Sequence, residues 1–323
     1  METLWFVLIA VLWLGYLFLE GFDFGVGMLL PVLGRDNRER RVMINTIGPV
    51  WDGNEVWLIV AIGATFAAFP GWYAALLSAA YLPLTLFLIA LIGRGVAFDY
   101  RGKVDNPRWR KAWDFTIVAG SWIATLCVGL LISTTVLGLP IDANGDRVGG
   151  PFAAIRLDTV VGALAFAGYA LVHGAVFTAL KTEGEIRERA RRVALMLAPV
   201  ALLPLVALLA IVAGLWAAAV VAILGLAMWR LAADRDGQSF ALMGLAIAAS
   251  VAILFGSLYP NVLPSTLNDA WSLTIANSAS SPYTLEVITW VAGFGTPAVL
   301  VYQGWTYWVF RKRIGVQHIP AAH

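Results

Sequence analysis

The chain has 323 residues, of which 60% are hydrophobic and 13% charged, and its net charge is +2. A soluble globular domain carries about 25% charged residues, and a chain this apolar cannot cover a water-exposed exterior. The composition excludes an ordinary soluble domain, and basic residues spread over short loops exclude the basic face needed for nucleic-acid binding.

Apolar segments long enough to cross a bilayer recur along the whole chain. A membrane-spanning helix needs roughly 20 mostly apolar residues. Only Gly214 and Leu215 separate the sixth and seventh segments, so on length alone this region is either two helices or one interrupted helix. The predicted helices lie at about 4–33, 48–69, 73–98, 113–138, 157–180, 193–213, 216–233, 239–258 and 285–310.

The distribution of positive charge favours about nine helices over eight, because Lys and Arg collect in cytoplasmic loops. Of the 22 basic residues, 20 fall in five short stretches, at 34–47, 94–111, 181–192, 230–235 and 311–313. Nine helices place all five stretches on one side of the membrane, whereas eight place the last two on the opposite side. We therefore predict an all-α polytopic membrane protein with its N-terminus outside the cytoplasm and its C-terminus inside.

Three glycines, Gly21, Gly25 and Gly27, lie in the first predicted helix, and one interpretation of them is a nucleotide-binding glycine motif. That motif requires a preceding β-strand, and none is predicted here. Small residues at this spacing are also typical of helices that pack closely in a membrane. We expect these glycines to lie against a neighbouring helix.

Four carboxyl groups lie in or beside the first two membrane helices, where charge is costly. Glu20 and Asp23 are three residues apart and share one helix face, and Asp52 and Glu55 repeat this spacing near the start of the second helix. The two helices are antiparallel, so both pairs fall in the cytoplasmic half and are expected to converge. Carboxyl groups crowded in a low-dielectric setting cannot all ionise, and such groups can pass protons inward from the cytoplasm.

Other interpretations of the acidic residues stay open. The carboxyl groups can be structural, either neutral or paired with Arg94 and helix dipoles, or they can bind a hard cation. At the level of function the alternative is a secondary transporter, because buried carboxylates and helix-breaking Pro and Gly also mark transporters. Such transporters usually carry inverted repeats, whereas these carboxyl groups lie only in the first half of the chain.

Histidine is scarce, and His173 is the only one of the three that lies in a predicted membrane helix. Membrane cytochromes usually ligate haem iron through His or Met. A lone helical histidine is more typical of a packed, hydrogen-bonded residue. We therefore expect the chain to ligate no haem and no metal by itself, which argues against a b-type cytochrome anchor.

Several segments together resemble subunit II of the cytochrome bd quinol oxidases over nearly the whole chain. The first of them, EGFDFGVGML, contains Glu20 and Asp23, and the third, PVWDGNEVW, contains Asp52 and Glu55. Many matches in the same order make the resemblance specific. The matching segments are 20–29, 40–45, 49–57, 97–101, 107–110, 264–268, 272–274 and 283–290.

This resemblance implies a haem-free partner subunit of a terminal quinol oxidase in the bacterial cytoplasmic (inner) membrane. The complex oxidises quinol, reduces dioxygen to water and takes up protons from the cytoplasm. Its haems, two of b type and one haem d, are ligated by subunit I, and a small accessory subunit is a further candidate partner. Asp23 and Asp52 match family positions in a proton path, with Glu20 and Glu55 as neighbouring candidates.

The resemblance also implies a fold of two four-helix bundles plus one peripheral helix. On this pattern residues 1–138 form the first bundle and residues 157–258 the second. An external connection over 139–156 joins the bundles, and an external loop covers 259–284. Residues 285–323 hold the last transmembrane helix and a cytoplasmic tail.

Overall fold

The computed structural model describes residues 1–319, and this part of the chain is mainly α-helical. The only β-structure assigned to strands there is a short antiparallel pair, β1 (Asn261–Leu263) and β2 (Leu273–Thr274). The α-helices are α1 (Glu2–Leu33), α2 (Asn37–Ile47), α3 (Trp51–Ala68), α4 (Pro70–Ala79), α5 (Tyr81–Tyr100), α6 (Pro107–Leu137), α7 (Leu157–Lys181), α8 (Gly184–Ala201), α9 (Leu203–Ala213), α10 (Ala217–Ala232), α11 (Asp236–Leu258) and α12 (Pro282–Val309).

Several of these helices have the length and composition of membrane spans. Within residues 1–319, seven stretches qualify, and they are α1, α5, α6, α7, the 49-residue stretch Gly184–Ala232, α11 and α12. The predicted class, a helical membrane protein, is therefore confirmed. The last four residues of the predicted cytoplasmic tail, 320–323, lie outside the described residues.

Two predicted helices are interrupted in the structure, each near a proline. The segment predicted at 73–98 breaks at Ala80, because Pro83 has no N–H to donate to the carbonyl of Ala79. Arg147 donates to that carbonyl instead, at 3.3 Å. The segment predicted at 193–213 breaks at Leu202, two residues before Pro204 in the first turn of α9.

The basic stretch 34–47, which we expected to be a loop, contains α2. Asp36 caps this helix by accepting a hydrogen bond from the backbone N–H of Glu39 at 2.8 Å. The helix is amphipathic, with Val42, Met43 and Ile47 buried. Hydropathy alone does not detect α2, because the helix is too short and too polar to resemble a membrane span.

α1 is the central helix and packs against α3, α6, α7 and α11. Its contact with α7 is close, since a Cβ built on Gly25 would lie 1.9 Å from the carbonyl oxygen of Ala170. Gly174 on α7 faces Gly25 in the same way. The prediction that glycines in the first helix serve close packing is confirmed at Gly25.

Residues from all five basic stretches meet at one end of the molecule, where Asp234 of the fourth stretch pairs with Arg191 of the third. Three carboxylates at that end, Glu39, Asp114 and Asp236, are each less than 10% exposed and bind arginines from different stretches. The network therefore connects α2, α6, α8, α11 and the segment after α12. The ion pairs are Arg189–Glu39, Arg40–Asp114, Arg101–Asp114, Arg187–Asp236, Arg191–Asp236 and Arg313–Asp236.

The two long connections, 139–156 and 259–284, pack together at the opposite end. The backbone N–H of Leu139 donates to the carbonyl of Pro264 at 3.0 Å. The hydroxyl of Ser265 donates to the carbonyl of Ile141 at 2.7 Å. These bonds join the segment after α6 to the segment after α11.

Candidate proton-transfer site

A buried ion-pair cluster forms where α1, α3 and α5 meet. Glu20 and Asp23 on α1 and Arg94 on α5 all have 0% exposure. Nη1 of Arg94 donates to Oε1 of Glu55 at 2.8 Å and to Oε2 of Glu20 at 3.4 Å. Three of the four predicted carboxyl groups, Glu20, Asp23 and Glu55, are therefore brought together.

Arg94 is not a loop residue, although it falls in the second basic stretch of the sequence. It lies inside α5, and its guanidinium carbon lies 4.9 Å from the ring centre of Phe24 and 5.0 Å from that of Phe98. Aromatic faces and two carboxyl groups therefore replace the water that would surround this cation at the surface. The use of Arg94 as a topology marker was wrong, whereas the alternative that pairs it with the acidic residues agrees with the structure.

Asp52 does not join the cluster. It lies in the first turn of α3, where its side chain is exposed. Glu55, one turn further along α3, is 21% exposed, and Glu20 and Asp23 have no exposure. The expected convergence of four carboxyl groups was therefore wrong for Asp52, and the acidic residues instead run from the surface into the interior.

The number of charges in the cluster determines its protonation. Glu20, Asp23 and Glu55 supply three carboxyl groups, whereas Arg94 supplies one positive charge. A net charge in a low-dielectric interior is costly, and the cluster is electrically neutral when two of the three carboxyl groups hold a proton. Oε1 of Glu20 and Oδ1 of Asp23 have no hydrogen-bond partner among the described residues. The cluster can therefore hold protons and exchange them.

A second set of polar side chains surrounds Asp23. The amide of Asn54 on α3 donates to Oδ2 of Asp23 at 2.7 Å. Oδ1 of Asn54 accepts from the hydroxyl of Tyr307 at 2.8 Å and from Nε2 of Gln303 at 3.2 Å. Sequence reasoning missed Gln303 and Tyr307, and the available signal was a polar pair one turn apart near the C-terminal end of α12.

His173 is packed and hydrogen-bonded, as predicted. It has 0% exposure, and its ring stacks on Phe240 with 4.9 Å between ring centres. Its Nε2 donates to the carbonyl of Phe18 at 3.2 Å. These contacts enclose the imidazole, so His173 does not fit an axial haem ligand. Within residues 1–319 no group of three His, Cys, Asp or Glu residues is arranged to hold a metal ion.

Known proteins resemble the chain over nearly its whole length. It is 42% identical to "Cytochrome bd ubiquinol oxidase subunit 2" of Bacillus subtilis (strain 168), over 97% of each chain. It is 33% identical to "Cytochrome bd-I ubiquinol oxidase subunit 2" of Escherichia coli (strain K12), over 99% of this chain and 96% of that one.

A solved structure shows the same fold. One chain of the bd oxidase from Geobacillus thermodenitrificans matches with a TM-score of 0.75, covering 95% of this chain and 96% of that one at 16% identity. The family model described as "Cytochrome bd terminal oxidase subunit II" matches residues 1–310. The resemblance found in the sequence motifs is thus confirmed, and the chain belongs to the family of cytochrome bd terminal oxidase subunit II.

Proposed function

We propose that this chain, the partner of the haem-bearing subunit in a quinol oxidase that reduces oxygen, takes up protons from the cytoplasm for that reaction. The observation that carries the proposal is the buried cluster of Glu20, Asp23 and Glu55 around Arg94. Reduction of dioxygen to water consumes protons. A cluster in which carboxyl groups outnumber positive charges can hold protons and supply them to that reaction. Family membership gives no support to the transporter alternative.

The order of exposure supports a route inward. Asp52 is exposed and collects protons at the surface, and Glu55 lies one turn away on the same helix. Arg94 is hydrogen-bonded to both Glu55 and Glu20. When Glu55 gains a proton it loses its negative charge, so Arg94 interacts more strongly with Glu20. The electrostatic field at Asp23 then changes as well. Glu20 and Asp23, which are both fully buried, are the interior acceptors in this set. Each step moves a proton between carboxyl oxygens and leaves the number of charges unchanged.

We assign the haems, of b type and d type, to the partner subunit, and quinol to the complex as its reductant. Bound haem supplies the electron transfer and oxygen chemistry of the complex. His173 is enclosed by Phe18, Tyr169 and Phe240 and presents no free imidazole face. The contribution of this chain is therefore structural support and proton supply.

We further propose about nine crossings of a bacterial inner membrane, with the N-terminus outside and the C-terminus inside. The stretch Gly184–Ala232 is long enough for two crossings, and Gly214, with φ +56°, supports a turn between them. α3, with 18 residues, supplies the ninth. The proposed units remain 1–138 and 157–258 as bundles, 139–156 and 259–284 as external connections, and 285–323 as the last helix and tail.

Lipid, the haem-bearing subunit and a small accessory subunit are the proposed neighbours of the apolar exterior. α12 offers the most surface for them, since Leu285 is its only buried residue among those described. Trp290, Phe294 and Trp305 on this helix are all more than half exposed. Large apolar side chains exposed in this way are suited to hydrocarbon or to another subunit.

The test measures oxygen consumption per haem in the purified complex carrying Asp52→Asn or Asp23→Asn. Asn keeps the size and polarity of Asp but carries no titratable proton. Asp52→Asn should slow turnover by at least about tenfold, which corresponds to about 1.4 kcal/mol on the activation barrier. Asp23→Asn should slow turnover by the same factor or less, because Glu20 lies one turn away and can take over its role.

Asp146→Asn is the matched control, since Asp146 is exposed at the opposite end of the molecule. Haem content and assembly are measured first, because a purely structural role would lower activity and haem together. Normal turnover per haem in both Asp52→Asn and Asp23→Asn would overturn the proton route.

A further inference from the structure

We infer that α12 fixes the direction of the hydrogen bond at Asp23, through a chain of side chains from Trp57 to Gln303 to Asn54, which makes Asn54 a positioning residue for proton exchange. The inference rests on the proposed function and extends it to side chains outside the acidic cluster. Two of these residues, Trp57 and Asn54, lie on α3, and Gln303 lies on α12.

The direction of the chain begins at Trp57. An indole N–H only donates, so its partner must present an acceptor. Nε1 of Trp57 donates to Oε1 of Gln303 at 2.8 Å. This bond turns the Nε2 group of Gln303 toward Asn54, because the two ends of a side-chain amide point in opposite directions.

Asn54 receives hydrogen bonds on one side and gives one on the other. Its Oδ1 accepts from Nε2 of Gln303 and from the hydroxyl of Tyr307. Two donors on Oδ1 fix the amide, so its Nδ2 faces Oδ2 of Asp23 at 2.7 Å. Asn54 has 0% exposure, and water does not compete for these bonds.

This arrangement confines proton exchange to one atom of Asp23. Oδ2 accepts from Asn54 whether Asp23 is a carboxylate or a neutral acid, because a carbonyl oxygen accepts as well. Oδ1 has no partner among the described residues, so the proton binds and leaves there. A reversed Asn54 amide would place two oxygen acceptors together, which favours the protonated acid and holds its proton between them.

Other titratable and charged groups also face Asp23, and they affect its proton exchange together with Asn54. Glu20 and Tyr16 lie on α1, Glu55 on α3, Arg94 on α5 and Tyr307 on α12. A change confined to Gln303 and Tyr307 leaves every carboxyl group and Arg94 in place. Such a change therefore isolates the orientation of the amide from the charge of the cluster.

The test is the double variant Gln303→Leu with Tyr307→Phe in the whole oxidase complex, measured as turnover per haem against pH. The variant removes both donors to Oδ1 of Asn54, so the amide is free to reverse. Turnover should fall by about three- to tenfold, and the midpoint of its pH profile should move to higher pH, at unchanged haem content. Tyr302→Phe is the control, because Tyr302 lies on the same helix and is 67% exposed.

The outcomes separate this inference from the proposed function. If Asp23→Asn slows turnover but the double variant keeps the wild-type rate and pH profile, the role of Asn54 is overturned and the proton route stands. If neither Asp23→Asn nor Asp52→Asn slows turnover, the proposed function itself fails and this inference fails with it. Lower turnover with an unmoved pH midpoint would also overturn the inference, since it indicates only a structural disturbance.

Discussion

Arg94 shows at the scale of one residue how a membrane protein keeps a cation in its interior. Its side chain has no exposure, yet Nη1 lies within 3.4 Å of carboxyl oxygens on both Glu20 and Glu55. Removing one partner of a buried ion pair costs about 3–5 kcal/mol, because the other charge stays buried without compensation. The carboxyl groups can escape part of this cost by taking up protons.

We predict that Arg94→Met destabilises the complex and that adding Glu20→Gln and Glu55→Gln restores much of the loss. The single change leaves two carboxyl groups without their cation, whereas the triple change replaces the charged set by neutral groups of similar size. Thermal unfolding and haem retention at neutral pH measure the effect. An unchanged melting temperature in Arg94→Met, or a triple variant no more stable than Arg94→Met, would contradict this account.

Asp52 and Asn54 show what sequence reasoning can and cannot reach for single side chains. Spacing correctly grouped Glu20 with Asp23, because residues three apart on a helix share a face. The sequence also placed Asp52 near the start of the second predicted helix, but it gave no information on which side chains of that first turn are exposed, and the structure leaves Asp52 at the surface. Nor did it reveal that Gln303 and Asn54 touch, since a contact across 249 positions depends on the packing of two distant helices.

At the scale of elements, α2 is attached to α8 through Glu39. Its carboxylate accepts from Nη1 of Arg189 at 2.8 Å and from the backbone N–H of Arg35 at 2.7 Å. The hydrogen bond from Arg189 is the main cause that lowers the pKa of Glu39 below its usual value of 4.5. A lowered pKa means that the folded state favours the ionised form, so this bond stabilises the fold when Glu39 is charged.

The pH dependence of this contact has a definite sign. Its contribution, about 1.5–3 kcal/mol for a hydrogen bond to a charged group, is fully present above pH 4.5 and is lost as the pH falls through the lower folded value. Wild type should therefore melt at a higher temperature than Glu39→Gln at pH 7, and the difference should shrink toward pH 3. A difference that stays constant with pH would rule out ionisation of Glu39 as its cause.

The helices themselves were largely predictable, because an apolar segment of about 20 residues has few alternatives in a membrane. The interruptions were not, although Pro83 and Pro204 are visible in the sequence. Proline inside an apolar segment is compatible with either a kinked helix or a break, and packing decides between them. At this break the free carbonyl of Ala79 accepts from Arg147, which comes from a connection far along the chain.

At the scale of the whole molecule, most of the basic residues are concentrated at one of its two ends. Residues of all five basic stretches lie at one end, whereas Arg147 and Arg156 bind backbone carbonyls near the connections at the other. If the basic end faces the cytoplasm, reporter fusions at Gly102 and Arg313 should be cytoplasmic, and fusions at Gly145 and Asn277 external. A cytoplasmic reporter at Asn277 would contradict the proposed topology.

In the proposed proton route, this chain supplies the protons for a reaction that the haem-bearing subunit performs. Its most direct test follows proton uptake with a pH-sensitive dye after reduced complex is mixed with oxygen. In the wild type, proton uptake should accompany haem oxidation. At equal haem content, Asp23→Asn should slow that uptake by up to about tenfold and Asp52→Asn by at least about tenfold. Uptake at the wild-type rate in both Asp23→Asn and Asp52→Asn would contradict the account.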